Sequence, residues 1–127
     1  MGLDMYAHSM PKDDNRPPVD FDVEGLHLDH TPRIHYWRKH PNLHGWMAGR
    51  YYEKGGTDDD FNVNTVELTP EDIDELERTI LENRLPDTSG FFFGATTGEE
   101  RDDDLEFIRK CREEFAKGRA IAYYAWW

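Results

Sequence analysis

Residues 102–127, DDDLEFIRKCREEFAKGRAIAYYAWW, decide the fold class because they join a helix pattern directly to a strand pattern. Three aspartates stand at the start, where the positive end of a helix dipole favours carboxylates. Apolar residues then recur at helical spacing, namely Leu105, Ile108, Cys111 and Phe115. Gly118 ends this helix, and the run from Ile121 to Trp127 is typical of a β-strand. Because that strand carries aromatic side chains on both faces, we expect it in the middle of a sheet.

Two further helices are predicted upstream. Thr69 and Pro70 provide a hydroxyl cap and a proline at the first helical position, and two acids follow. The inward face of this helix is predicted to consist of Ile73, Leu76, Ile80 and Leu81, and Pro86 closes the segment. The other helix is predicted to begin at Pro41 and to end before Gly55.

Alternation of apolar and polar residues predicts a strand over residues 2–8. Residues 33–37 and 61–68 are further extended candidates, and a short apolar run, 91–93, stands between glycines. Residues 11–30 read as a loop followed by a peripheral hairpin inserted near the N-terminus. The sequence therefore predicts one α+β domain over residues 1–127, with about three helices packed on a small mixed sheet.

The net charge of −12 excludes several classes of partner. An acidic surface opposes binding to long nucleic acids and to anionic membranes. The sequence contains no apolar run long enough to span a bilayer and no secretory signal, so we expect no membrane partner. A single cysteine, Cys111, excludes an internal disulfide and fits a reducing cytoplasm.

The charge is unevenly distributed, and residues 31–56 form a basic segment. This segment carries five Lys or Arg residues and one acid, whereas both flanking segments are acidic. It also contains Tyr36, Trp37 and Trp46, and aromatic rings beside cations suit a small anionic ligand such as a nucleotide. The alternative is that these aromatics are core residues and the basic groups pair with the surplus acids. Both interpretations stay open.

Histidine spacing raises the hypothesis of a metal site. The candidate ligands are His27, His30, His35, His40 and His44. The spacing of four between the last two would place both rings on one helical face, but Pro41 sets the first at or before the helix start. We expect no metal, no cofactor and no catalytic residue, and we expect His44 to form a hydrogen bond in the core or to cap a pocket.

Four sequence blocks together resemble a family of small bacteriophage and prophage proteins. The blocks are MGLDMY at 1–6, YWRK at 36–39 with His44 and Trp46, TSGFFFG at 88–94 after a Leu-Pro pair, and YYAWW at 123–127. Some members carry a phosphoglycerate kinase label. Such an enzyme closes two large domains around its substrates, so 127 residues exclude that activity here.

The resemblance implies a phage accessory protein in the cytoplasm of a bacterial host. We expect a non-catalytic protein that binds a bacterial host protein, for host takeover or against a defence system. The alternatives are a binder of a small anionic ligand and a metal-assisted enzyme, and a homo-oligomer also stays open. The candidates for a cleft where the blocks meet are Tyr6, Trp37, Arg38, His44, Thr88 and Trp126.

Overall fold

The fold is α+β: in the part of the chain that the structure describes, three helices pack on a four-stranded sheet, as the sequence predicts. The computed structural model describes residues 2–22, 31–86, 88 and 100–127. Its elements in chain order are β1 (Asp4–Pro11), β2 (Arg33–Arg38), α1 (Pro41–Glu53), β3 (Val66–Leu68), α2 (Pro70–Leu81), α3 (Arg101–Ala116) and β4 (Arg119–Trp126). The predicted strand at 91–93 and most of the predicted hairpin lie outside the described residues. None of the described helices is long and apolar enough to cross a membrane.

The sheet has the strand order β2-β1-β4-β3. Every described pairing is antiparallel, whereas a mixed sheet was expected. Strand β4 lies between β1 and β3, so the prediction of a central terminal strand is confirmed. Its alternating residues are buried on both faces, which accounts for its apolar character.

The inner face of the sheet packs against the helices. Strand residues in this core include Met5, Ala7, Trp37, Ile121 and Tyr123, all buried. The outer face carries a second, smaller buried cluster of Met10, Ala120, Ala122 and Tyr124, with Tyr6 and Phe21 packed against it. Because side chains alternate along a strand, consecutive residues lie on opposite faces of the sheet.

Helix starts follow the local signals in the sequence. Thr69 and Asp72 form a reciprocal capping box at α2, in which each side chain accepts a hydrogen bond from the other residue's backbone N–H. Pro41 occupies the first position of α1. Leu81 was expected to face inward, but it is the last residue of α2 and its side chain is 49% exposed. On α3, Phe107 is buried, and sequence spacing did not single it out.

Candidate functional site

Three strand ends form a cleft at one end of the sheet. The start of β1 lies between the ends of β2 and β4, because both of these strands run antiparallel to it. The register pairs Asp4 with Arg38 on one side and with Trp126 on the other. A cleft of about 380 Å³ opens there, lined by Gly2, Asp4, Arg38, Trp126 and Trp127. We call it the strand-end cleft.

The described residues that line the strand-end cleft include one cationic side chain, Arg38, and one carboxylate side chain, Asp4. Arg38 Nε lies 3.6 Å from Asp4 Oδ1, and the two side chains are 52% and 24% exposed. The Tyr36 hydroxyl donates a hydrogen bond of 2.6 Å to the same oxygen. This bond to Asp4 raises the pKa of Tyr36 above its ordinary value, so the phenol remains a donor at neutral pH.

Glycine at position 2 leaves room for the guanidinium group. A Cβ at Gly2 would lie 2.9 Å from Arg38 Nη2, closer than real Cβ contacts allow. The backbone at Gly2 therefore forms one wall of the strand-end cleft, against which the Arg38 side chain lies. A larger residue there would displace that side chain from its present position.

Trp126, the last residue of β4, and Trp127, which follows it, differ in environment. The Trp126 side chain is 55% exposed, which is unusual for so large an apolar ring. Trp127 packs edge-on against His44, with ring centroids 5.0 Å apart. Its backbone is fixed by the Asn62 side chain, whose Oδ1 accepts from Trp127 N at 3.3 Å. The Trp127 ring is thus packed against a core residue, whereas the Trp126 ring is largely exposed to solvent.

A row of tyrosines continues the outer face beside the strand-end cleft. The register aligns Tyr36, Tyr6 and Tyr124 across three strands. Their ring centroids are 5.3 and 5.0 Å apart. Arg33 lies over two of these rings, 5.3 Å from the Tyr36 centroid.

A second polar cluster lies where β2 meets the start of α3. His40 Nε2 donates to Asp104 Oδ2 at 2.6 Å, and Trp37 Nε1 donates to Asp104 Oδ1 at 3.2 Å. Both members of the His40–Asp104 pair are 2% exposed. Burial raises the pKa of Asp104, and the bonds from His40 and Trp37 oppose that shift. Nearby, the exposed Asp103 accepts from His35 at 2.9 Å.

The His40–Asp104 pair borders a cleft of about 180 Å³ between α1, α2 and α3. Asn42, Asn83 and Arg101 also line it. An imidazole oriented by a carboxylate is a component of acid–base sites. Among the described residues that line this cleft there is no cysteine or serine nucleophile. In the part of the chain that the structure describes, no group of three or more His, Cys, Asp or Glu side chains could hold a metal ion. Neither His27 nor His30 is among the described residues.

The six residues predicted from the sequence lie in different places. Arg38 and Trp126 line the strand-end cleft, and Tyr6 lies on the same face in the tyrosine row. Trp37 is 3% exposed on the inner face, as part of the core. Thr88 packs against α1, where its N–H donates to Asn42 Oδ1 at 2.9 Å.

His44, the sixth candidate, is a core residue rather than a cleft residue. Its Nδ1 and the Tyr123 hydroxyl share a hydrogen bond of 2.7 Å, and its ring stacks on Phe61. Burial lowers the pKa of His44 to about 4. The imidazole is therefore neutral at physiological pH and contributes packing and one buried hydrogen bond.

Sequence reasoning did not select Asp4, His40 or Asp104 for these sites. Asp4 could have been found from its strand, because its parity places it on the same face as Tyr6. The partnership of His40 and Asp104 joins residues 64 positions apart, and no local pattern predicts it. Comparison of the chain with protein-family models, with curated proteins and with solved structures finds no match.

Proposed function

We propose that the protein binds a small planar anionic ligand of the nucleotide type in the strand-end cleft. One observation carries this proposal: a largely exposed indole, Trp126, and a half-exposed guanidinium, Arg38, flank the same residue on the same face of the sheet. An indole stacks on a heterocyclic base, and a guanidinium donates to phosphate oxygens with favourable geometry.

The net charge of the protein is compatible with a small anion. A long polyanion binds an extended basic surface because its counterions are released there. A protein with a net charge of −12 does not favour such binding. A mononucleotide needs only one or two donors and a ring to stack on. Arg38 and Trp126 provide those contacts within a single cleft.

Nucleotide titration tests the proposal. We expect CMP, AMP or GMP to raise the melting temperature, because a ligand that binds only the folded state stabilises it. Arg38→Gln should weaken the affinity by about tenfold or more, since a hydrogen bond to a charged group is lost. Trp126→Ala should weaken it by a similar factor through lost stacking.

Arg33→Gln is the matched control. Arg33 lies on the outer face over the tyrosine row rather than in the strand-end cleft, so its replacement should leave nucleotide affinity within about twofold. The proposal fails if millimolar nucleotides leave the melting temperature unchanged. It also fails if calorimetry gives the same affinity for the wild type and for Trp126→Ala.

A second candidate is the docking of a protein partner, which we expect to be a bacterial host protein bound by a phage accessory factor. A groove between α2 and α3 favours it, because Leu81, Leu105 and Ile108 line it while Leu81 is 49% exposed. The test starts from a bacterial protein that is recovered together with the wild type and is then purified. If the groove docks this partner, the partner should bind the wild type in titration and should not bind the Leu81→Arg variant. Equal binding by both would exclude the groove.

A further inference from the structure

Asp4 presents an unused acceptor in the strand-end cleft. Its Oδ1 receives both the Tyr36 hydroxyl at 2.6 Å and Arg38 Nε at 3.6 Å. Its Oδ2 makes no hydrogen bond with the residues that the structure describes. The Asp4 side chain is 24% exposed and lines the cleft, so a ligand in the cleft can contact this carboxylate.

The position of Asp4 is fixed before any ligand arrives. Strand β1 is hydrogen-bonded to β2 on one side and to β4 on the other, which holds the Asp4 backbone. The Tyr36 hydroxyl and the Arg38 guanidinium hold its carboxylate from the same side. A carboxylate held in this way binds a donor with little loss of conformational entropy.

We propose that Asp4 selects ligands whose ring carries an exocyclic amino group, and this inference rests on the nucleotide site proposed above. A carboxylate accepts hydrogen bonds and donates none, so it favours an N–H₂ group such as N4 of cytosine. Uracil has a carbonyl oxygen at that position, and its one ring N–H lies between two carbonyl oxygens. Placing the Asp4 carboxylate opposite another acceptor lowers affinity, because neither group donates a hydrogen bond.

The experiment compares two pairs of ligands that differ in the amino group. CMP is compared with UMP, and AMP with purine riboside 5′-monophosphate, by isothermal titration calorimetry on the full chain. We expect the wild type to bind the amino member of each pair about tenfold more tightly or better. Asp4→Asn should reduce the CMP preference to about twofold or reverse it, because the amide also donates.

Arg33→Gln is again the matched control. It changes an arginine outside the strand-end cleft and leaves Asp4, Tyr36 and Arg38 in place, so the preference for CMP should persist. Equal affinities of the wild type for CMP and UMP, both lost in Trp126→Ala, would overturn the selectivity and leave the nucleotide site intact. A wild type that binds none of the four ligands would overturn the nucleotide site and the inference together.

Discussion

Acid should destabilise this protein through His44. Burial lowers the pKa of this imidazole from 6.5 to about 4 in the folded state. Between these two values the unfolded chain binds a proton that the folded chain does not bind, so the free energy of unfolding falls as the pH falls. The effect begins below the unfolded pKa of 6.5 and is complete near pH 4.

The two pKa values set the size of this effect. The slope approaches about 1.4 kcal/mol per pH unit in the middle of the window, because one proton is taken up on unfolding. Lowering the pH from 7.5 to 4.5 should therefore remove about 2–3 kcal/mol of stability through His44 alone. That loss is a large share of the stability of a small domain.

Urea denaturation at several pH values measures this contribution. The wild type is compared with His44→Asn, whose amide approximates the Nδ1 hydrogen bond to Tyr123 but does not titrate. The stability of His44→Asn relative to the wild type should rise by about 2–3 kcal/mol between pH 7.5 and 4.5, whatever its value at pH 7.5. Carboxylates titrate in both proteins and cancel in the difference.

Tyr123→Phe separates burial from hydrogen bonding. Burial is the cause of the lowered pKa of His44, so this variant should keep the pH dependence of the wild type even though it loses the shared hydrogen bond. If the wild type and His44→Asn lose stability in parallel as the pH falls, His44 does not carry the effect, and the burial argument is refuted.

Two further pairs of variants test the packing around the sites by chemical denaturation. Asp104→Ala should cost about 3 kcal/mol or more because it removes the buried carboxylate that accepts from His40 Nε2 and Trp37 Nε1. Asp103→Ala should cost about 1 kcal/mol or less because the Asp103 side chain is 53% exposed. Gly49→Ala should stabilise α1 by about 0.5–1 kcal/mol, since nothing lies within 4 Å of its new Cβ. Gly45→Ala should instead destabilise the protein, because its Cβ would lie 2.0 Å from the Thr88 hydroxyl.

The helices could be predicted because their signals are local. Pro41 at the start of α1 and the Thr69–Asp72 box at the start of α2 act within one helical turn. The strand expected over 61–68 covers only Val66–Leu68, because the segment before it contacts a strand that is distant in the sequence. Phe61 and Val63 adopt positive φ values of 45° and 65°, and the Val63 N–H donates to Ala125 O of β4.

Two residues that line the strand-end cleft, Arg38 and Trp126, could be predicted from the sequence. Arg38 and Trp126 were selected because they belong to two of the sequence blocks that carry the family resemblance, YWRK and YYAWW. Trp37 was selected on the same grounds, although strand parity puts it on the opposite face from Arg38, where it is buried. The pairing of residue 4 with both 38 and 126 depends on sheet register between distant segments, which composition and spacing do not specify.

Local pairing of charges explains how so acidic a protein keeps a half-exposed arginine in the strand-end cleft. On α3, Arg109 pairs with Glu106 and Glu113, and Arg112 pairs with residues of α2, so these guanidinium groups are held by carboxylates on the helix surface. Arg38 has one carboxylate within ion-pair distance among the described residues, Asp4 at 3.6 Å. Its Nη2 atom would lie 2.9 Å from a Cβ at position 2, so this nitrogen stands beside Gly2. The nucleotide site proposed above therefore depends on the position of one arginine, at the strand ends beside an exposed indole, and not on the net charge of the basic segment.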